Sequence, residues 1–330
     1  MNSMQTGLFR ILTIGLIGVG AAASVARAAA PPSEIVIRGE KIFPESLTSA
    51  PDGAVIFGSI GARTIFRAKP GSATAEVWIQ PGTDGMKSIF GVLADAKSNT
   101  LWACSSTPAF GPPAPGTPPP TPATLQSFDL KTGAANGHYE FPTPGSWCND
   151  IAVDSSGNVY ATDTSNMEVV RLKKGARQLE VWAGNGAFGP KGGILDGVSV
   201  LGKRLLINTL GTSKLFSVPV GADGTAGTVS EVTLDHPISR PDGMRSFGKD
   251  SILIVDATNG GRLSKITLTA DSGKLETVKE GYPDGPVAVT IVGTTAYVLE
   301  AQLAAMLQRP GAPPAPPKPF HATAVEVGKP

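Results

Sequence analysis

Trp147-Cys148-Asn149-Asp150-Ile151-Ala152-Val153-Asp154, followed after Ser155-Ser156 by Gly157-Asn158-Val159-Tyr160-Ala161-Thr162-Asp163, reads as two strands joined by a tight turn. Apolar and polar positions alternate along each run, and Ser-Ser-Gly-Asn supplies the turn between them. A polar side chain, Asn149, stands at the mouth of the first strand. The same order of a head residue, a small or turn residue and alternating apolar positions recurs from Glu45 (ESLTS), Phe90 (FGVLA), Asp196 (DGVSV), Asp242 (DGMRS) and Asp284 (DGPVA). Subtracting residue numbers gives steps of 45, 59, 47, 46 and 42 residues, the long one containing an insertion. A period of roughly 40 to 50 residues with about four short strands per unit is what a β-propeller blade requires. The expectation is an all-β, six-bladed β-propeller.

Composition agrees. With 41% hydrophobic and 17% charged residues, the 330-residue chain has enough apolar material for one large core shared by a ring of repeats. Its 40 glycines and 29 prolines suit many short turns. Lys+Arg 28 against Asp+Glu 27 leaves the chain near neutrality with no basic stripe, which argues against nucleic acid as a partner.

Arg10 precedes an apolar run from Ile11 to Val19, and small residues then lead to Ala26-Arg27-Ala28, the small-x-small form of a signal peptidase site. The run is shorter than the ~20 residues a membrane-spanning helix needs. Residues 1–28 are therefore expected to be a signal peptide, 29–33 a disordered linker and 34–330 a single domain, periplasmic or secreted, with no membrane attachment after cleavage. Residues 34–43 (EIVIRGEKIF) alternate as a half-exposed strand does, and are expected to pair with residues 320–327 (FHATAVEV) in the last blade, closing the ring. Residues 107–122 contain eight prolines and cannot enter a ladder, so they form a stiff surface loop: either a lid over the funnel or a tolerated insertion. A second proline-rich break covers 310–319. Helical periodicity is confined to residues 300–307, at most a short cap.

Blade geometry places Cys104, near the end of a second strand, and Cys148, at the start of the next blade's first strand, on one face in adjacent blades. In an exported protein such a pair forms a disulfide, the alternative being buried free cysteines. The heads of the first strands converge on the funnel. In order they are Glu45, Phe90, Asn149, Asp196, Asp242 and Asp284: five oxygen donors, four of them acids. Converging carboxylates repel one another and lose solvation, so a site that keeps them ionised needs a cation. Carboxylate and amide oxygens without His or Cys suit a hard divalent ion, calcium before magnesium or manganese. Asp-Gly is also a common turn dipeptide, and Asp196, Asp242 and Asp284 each have that second reading. Glu45 and Asn149 in the same register do not.

Phe43-Pro44-Glu45-Ser46, Asn149-Asp150-Ile151-Ala152-Val153-Asp154 and Arg240-Pro241-Asp242-Gly243-Met244 resemble motifs of the regucalcin and gluconolactonase (senescence marker protein) family of six-bladed propellers. The similarity runs from about Phe43 to Leu299. It implies a divalent metal, usually calcium or zinc, held by Glu45 and Asp242, with Asp196 standing where the family has an asparagine and Asn149 matching a further asparagine that contacts substrate or metal. Trp147 stands two residues before Asn149, where the family's sugar-lactone enzymes often carry arginine. A funnel bearing Trp147 and Phe90 favours an apolar or aromatic lactone or ester.

The function expected is metal-dependent hydrolysis of such a small molecule by a monomer. The ion is held by Glu45, Asn149, Asp196 and Asp242 and polarises the carbonyl; Asp242 is the general base, Asp284 the alternative for that role, with Asn149 at the reacting group and Trp147, Phe90 and Asp284 around the substrate. His236, six positions before Asp242, is a candidate assistant. No G-x-S-x-G elbow supports a serine nucleophile. The alternative class is a non-catalytic propeller that binds a ligand or a partner, and a third reading keeps an enzyme but makes it a lyase or condensing enzyme.

Overall fold

Alternating apolar positions, punctuated every few residues by Gly, Pro, Asn or Asp, leave this chain little choice but short antiparallel strands. A computed structural model describes residues 31–107, 121–258, 260–307 and 318–330, together with Met1. Apart from Met1, the expected leader lies outside the described residues, as do 108–120 of the first proline-rich insertion and 310–317 of the second.

A lone strand β1 (Glu34–Ile37) precedes the first unit, which comprises β2 (Pro44–Ser49), β3 (Val55–Ser59), β4 (Ile65–Ala68) and β5 (Thr74–Ile79). The second unit holds β6 (Ser88–Asp95), β7 (Thr100–Ser106), β8 (Thr124–Asp129) and β9 (Ala135–Glu140). The third runs through β10 (Cys148–Val153), β11 (Val159–Asp163), β12 (Glu168–Leu172) and β13 (Glu180–Ala183). The fourth has β14 (Leu195–Leu201), β15 (Arg204–Thr209), β16 (Lys214–Pro219) and the short β17 (Ser230–Glu231). A two-residue strand, β18 (Thr233–Leu234), runs parallel to the outer edge of the fifth unit, which is β19 (Pro241–Phe247), β20 (Ser251–Asp256), β21 (Gly261–Thr269) and β22 (Ser272–Tyr282). The chain ends with β23 (Pro286–Val292), β24 (Thr295–Glu300), the one-turn helix α1 (Leu303–Met306) and β25 (Phe320–Glu326).

Within each unit, successive strands pair antiparallel. The last unit is completed from the other end of the chain: β25 pairs with β24, and β1 pairs antiparallel with β25, Ile35 opposite Ala322 and Ile37 opposite Phe320. This is the partner expected for residues 34–43. β1 also runs parallel to β5, so the first and last units merge into one eight-stranded sheet, and the other units form sheets of four, four, four and five strands. Both edges that the chain termini would expose are thereby paired. Order begins before the strand. Tyr297 donates to the carbonyl of Pro32 and Ala324 N–H to that of Ser33, so residues 32 and 33 belong to the last unit rather than to the expected linker.

No residue of a first strand is exposed, whereas the fourth strand β9 is exposed along most of its length. Each first strand packs on the next: β2 on β6, β6 on β10, β10 on β14, β14 on β19, β19 on β23, and β23 on β2. Apolar residues of neighbouring sheets fill the spaces between units, as Ile56 and Ile65 meet Ile89, Val92 and Leu101, and Val255 and Leu263 meet Val289 and Val298. Burial of this kind, worth about 25 cal/mol per Å² of apolar surface, holds the sheets together where no hydrogen bonds join them.

Candidate metal centre

Every first strand carries a β-bulge near its start, after the first ladder pair or, in β6, after the second. In β10, Cys148 faces Asp163 and the register resumes at Ile151 opposite Ala161; in β14 it breaks between Leu195 and Val198, and in β19 between Pro241 and Met244. The bulges in β2, β6 and β23 fall after Pro44, Ile89 and Pro286. A bulge inserts one unpaired residue and re-aims its side chain. The first bulge residues are Glu45, Phe90, Asn149, Asp196, Asp242 and Val287, and this register sets the site.

It corrects the sequence reading of the sixth strand head. Asp284 sits three residues ahead of the sixth bulge, in the turn before β23, where Lys318 Nζ pairs with its carboxylate at 2.7 Å and its N–H donates to Glu300 Oε2. Its Asp-Gly is a turn former, and the buried Val287 takes the register position. His236 is also elsewhere, 68% exposed and beside Asp235.

Glu45, Asp196 and Asp242 each offer one carboxylate oxygen, and the three oxygens lie within 4.8 Å of one another. All three residues are buried, as is Asn149, each at 8% exposure or less. Asn149 Nδ2 donates to Thr164 Oγ1 at 3.1 Å, and the Asn149 amide and the Asp242 carboxyl both act on Asp196 to lower its proton affinity. Burial, then mutual repulsion, drives the Glu45 and Asp242 carboxyls well above the usual carboxylate range. The same two causes lift Asp196 to about 8, the repulsion there coming from Asp150. Three acids from three units placed this closely hold protons or a cation. The donor set is all oxygen, with carboxylates and an amide and no thiolate or imidazole, and it fits a hard divalent ion such as calcium.

Bulges leave backbone groups unpaired, and second-strand side chains satisfy them. Thr162 Oγ1 accepts from Asp150 N–H at 3.0 Å and donates to the Asp196 carbonyl at 2.7 Å. Asn208 does the same one unit on, accepting from Gly197 N–H at 3.3 Å and donating to the Asp242 carbonyl at 2.6 Å. In β7 the corresponding residue is Cys104, and its link to the next unit is covalent: Cys104 and Cys148 are bonded, with Cα atoms 5.1 Å apart. Cys148 immediately precedes Asn149. Glycines follow Phe90, Asp196 and Asp242 because the next unit's backbone lies against them; a Cβ on Gly197 would stand 2.5 Å from the Asp242 carbonyl oxygen, and one on Gly243 2.7 Å from that of Val287.

After Asn149 the glycine is replaced by Asp150, which the sequence reading passed over. Its carboxylate accepts from Val198 N–H at 3.1 Å and pairs with Arg245 Nη1, also at 3.1 Å. Phe90 is buried against Cys104 and Cys148 and stacks edge-to-face on the half-buried Trp147, centroids 5.2 Å apart. These two rings form an apolar wall beside Asn149; Phe90 is the wall's buried backing and Trp147 its more exposed part.

The chain shares its fold with solved structures of gluconolactonase and regucalcin type. Over 89% of this chain and 89% of the other, it superposes on a gluconolactonase from Xanthomonas campestris with a TM-score of 0.61 at 12% identity. A regucalcin from Agrobacterium tumefaciens, described as a calcium-binding protein, gives a TM-score of 0.58 at 14% identity over 89% of this chain and 96% of that one. Virginiamycin B lyase from Staphylococcus aureus gives 0.58 at 14% identity, covering 81% and 80%. No family model matches the sequence, and no curated protein matches it. At these identities the likeness establishes the propeller-like fold and leaves activity to the site.

Proposed function

We propose that the six four-stranded units are the blades of a six-bladed propeller, and that the chain is an exported, metal-dependent hydrolase of lactones or related esters. One observation carries this reading: Glu45, Asn149, Asp196 and Asp242 occupy the same bulge register in four different units, and the three acids among them meet within 4.8 Å. Structural turn formers have no reason to converge at one buried point. Glu45, Asp196, Asp242 and Asn149 would hold the ion, calcium before zinc, magnesium or manganese, and the bound ion would supply Lewis-acid polarisation of the substrate carbonyl.

The chain's own residues do the rest. Asp242 takes a proton from water as the water oxygen bonds to the carbonyl carbon; when the ring C–O bond breaks, that proton passes to the leaving alkoxide. Gly243 N–H holds Asp242 Oδ1 at 2.9 Å and fixes the carboxylate's orientation. Thr164, which also donates to the Leu195 carbonyl, orients Asn149 toward the reacting group. Trp147, backed by Phe90, receives the apolar part of the substrate.

Hydrolysis of a panel of aliphatic and aromatic lactones, with calcium and with chelator, tests the proposal. Calcium-dependent turnover that disappears in Asp242→Ala supports it. Metal binding without turnover of any ester or lactone replaces it with the non-catalytic reading, and elimination products replace it with a lyase.

A further inference from the structure

On the far side of the carboxylate cluster, residues of all six first strands line a cavity of about 290 Å³, among them Thr48, Ala94, Val153, Ser199, Arg245 and Thr290. Between this cavity and the cluster the chain places one cation. Arg245 Nη1 donates to the Asp150 carboxylate at 3.1 Å and to the Met244 carbonyl at 2.8 Å, and Nη2 donates to the carbonyls of Leu47 at 3.4 Å and Val92 at 3.3 Å. These oxygens come from β2, β6, β10 and β19, four of the six units. The Arg245 side chain is 12% exposed and that of Asp150 6%. A carboxylate and three backbone carbonyls around one buried positive charge is the oxygen environment that proteins otherwise give a hard metal ion.

We propose that Arg245 is a resident cation: its guanidinium occupies an oxygen cage that a divalent ion would otherwise take, and so ties four units together beneath the carboxylate cluster. The inference goes beyond the hydrolase reading and does not depend on it. Arginine suits the task because its planar fork carries five donors, so one side chain reaches oxygens on four strands, and it stays charged at every working pH. It also offsets part of the negative charge of Glu45, Asp150, Asp196 and Asp242, and its field opposes the upward shift of Glu45. A merely structural arginine would be replaceable by anything that restores packing. A resident cation is replaceable by a metal.

The test is calcium stoichiometry, measured by equilibrium dialysis on the full chain. Arg245→Ala leaves Asp150 buried without its partner, so in chelator it should melt about 10 °C below the wild type. Millimolar calcium should recover much of that loss, and the variant should bind one calcium more than the wild type, whatever number the wild type binds. The extra ion should vanish in Arg245→Ala/Asp150→Asn. If Arg245→Ala does not fold in chelator, its calcium count is taken after refolding in calcium, and a count equal to that of the wild type overturns the proposal. A folded Arg245→Ala with no additional calcium, or a variant as stable as the wild type in chelator, overturns the proposal. Because the count is a difference, it stands even where the carboxylate cluster itself proves to bind no metal.

Discussion

Removing metal should make this protein less stable as pH rises from 5 to 8.5, a trend opposite to that of a protein whose acids are held in salt bridges. The three site carboxylate oxygens lie no more than 4.8 Å apart. At that distance and an effective dielectric of about 20, two ionised carboxylates repel by roughly 3.5 kcal/mol, so full ionisation of all three costs about 10 kcal/mol. The metal-free fold therefore keeps protons that the unfolded chain, with ordinary carboxylates, releases near pH 4. A raised folded-state value means that the stabilisation is complete below the unfolded value and is lost as pH climbs through the folded one. For Asp196 that window runs from about 4 to about 8. A shift of this size corresponds to at most ~6 kcal/mol, and sharing of protons among the coupled acids reduces it to ~3 kcal/mol. For a domain of this size the melting temperature should fall by about 5–10 °C between pH 5 and pH 8.5 in chelator. With saturating calcium the same acids are ionised and paired, and the curve should be flat or rise. Differential scanning calorimetry across that range, with and without calcium, measures both. A metal-free melting temperature that is constant or increases from pH 5 to 8.5 would refute the reasoning, because it would mean the acids ionise freely and are not crowded together.

Further outcomes follow from the neighbours of the site. Gly197→Ala drives a Cβ against the Asp242 carbonyl and the Asn208 amide, and should cost about 2–3 kcal/mol in urea unfolding while weakening calcium binding at least tenfold. Replacing Cys104 and Cys148 by alanine removes the cross-link next to Asn149 and should cost about 2–4 kcal/mol, with a smaller loss of calcium affinity than Asp242→Asn causes. An unchanged unfolding midpoint would deny the disulfide any bracing role. Asp284→Asn, which breaks only the exposed pair with Lys318, should leave calcium affinity within twofold of the wild type. A larger loss would put Asp284 back into the site.

How much of this was legible in the residues is best seen at the bulges. The repeat and the convergence of Glu45, Asp196 and Asp242 follow from a pattern that recurs in sequence, and the pairing of residues 34–37 with the last strand follows from the alternation within 34–43. Asp284 misled because Asp-Gly is shared by a turn and by a bulge, and only the pairing of Pro286 with Glu300 shows that the register starts later. Asp150 and Arg245 were invisible for a different reason. Each lies inside an apolar-looking strand, and nothing local announces that two residues 95 positions apart share a salt bridge. The capping roles of Thr162 and Asn208 depend likewise on contacts between units, which periodicity within one unit does not encode. His236 lies close to Asp242 in sequence, but sequence proximity across a loop says nothing about direction, and the imidazole points to solvent.

Calcium binding by isothermal titration at pH 7.5, on the wild type and on Glu45→Gln and Asp242→Asn, tests the carboxylate cluster most directly. One ion bound tightly by the wild type, with proton release on binding and at least a hundredfold weaker affinity in either variant, is the predicted result. A wild type that binds no divalent ion, or variants that bind as the wild type does, would contradict it.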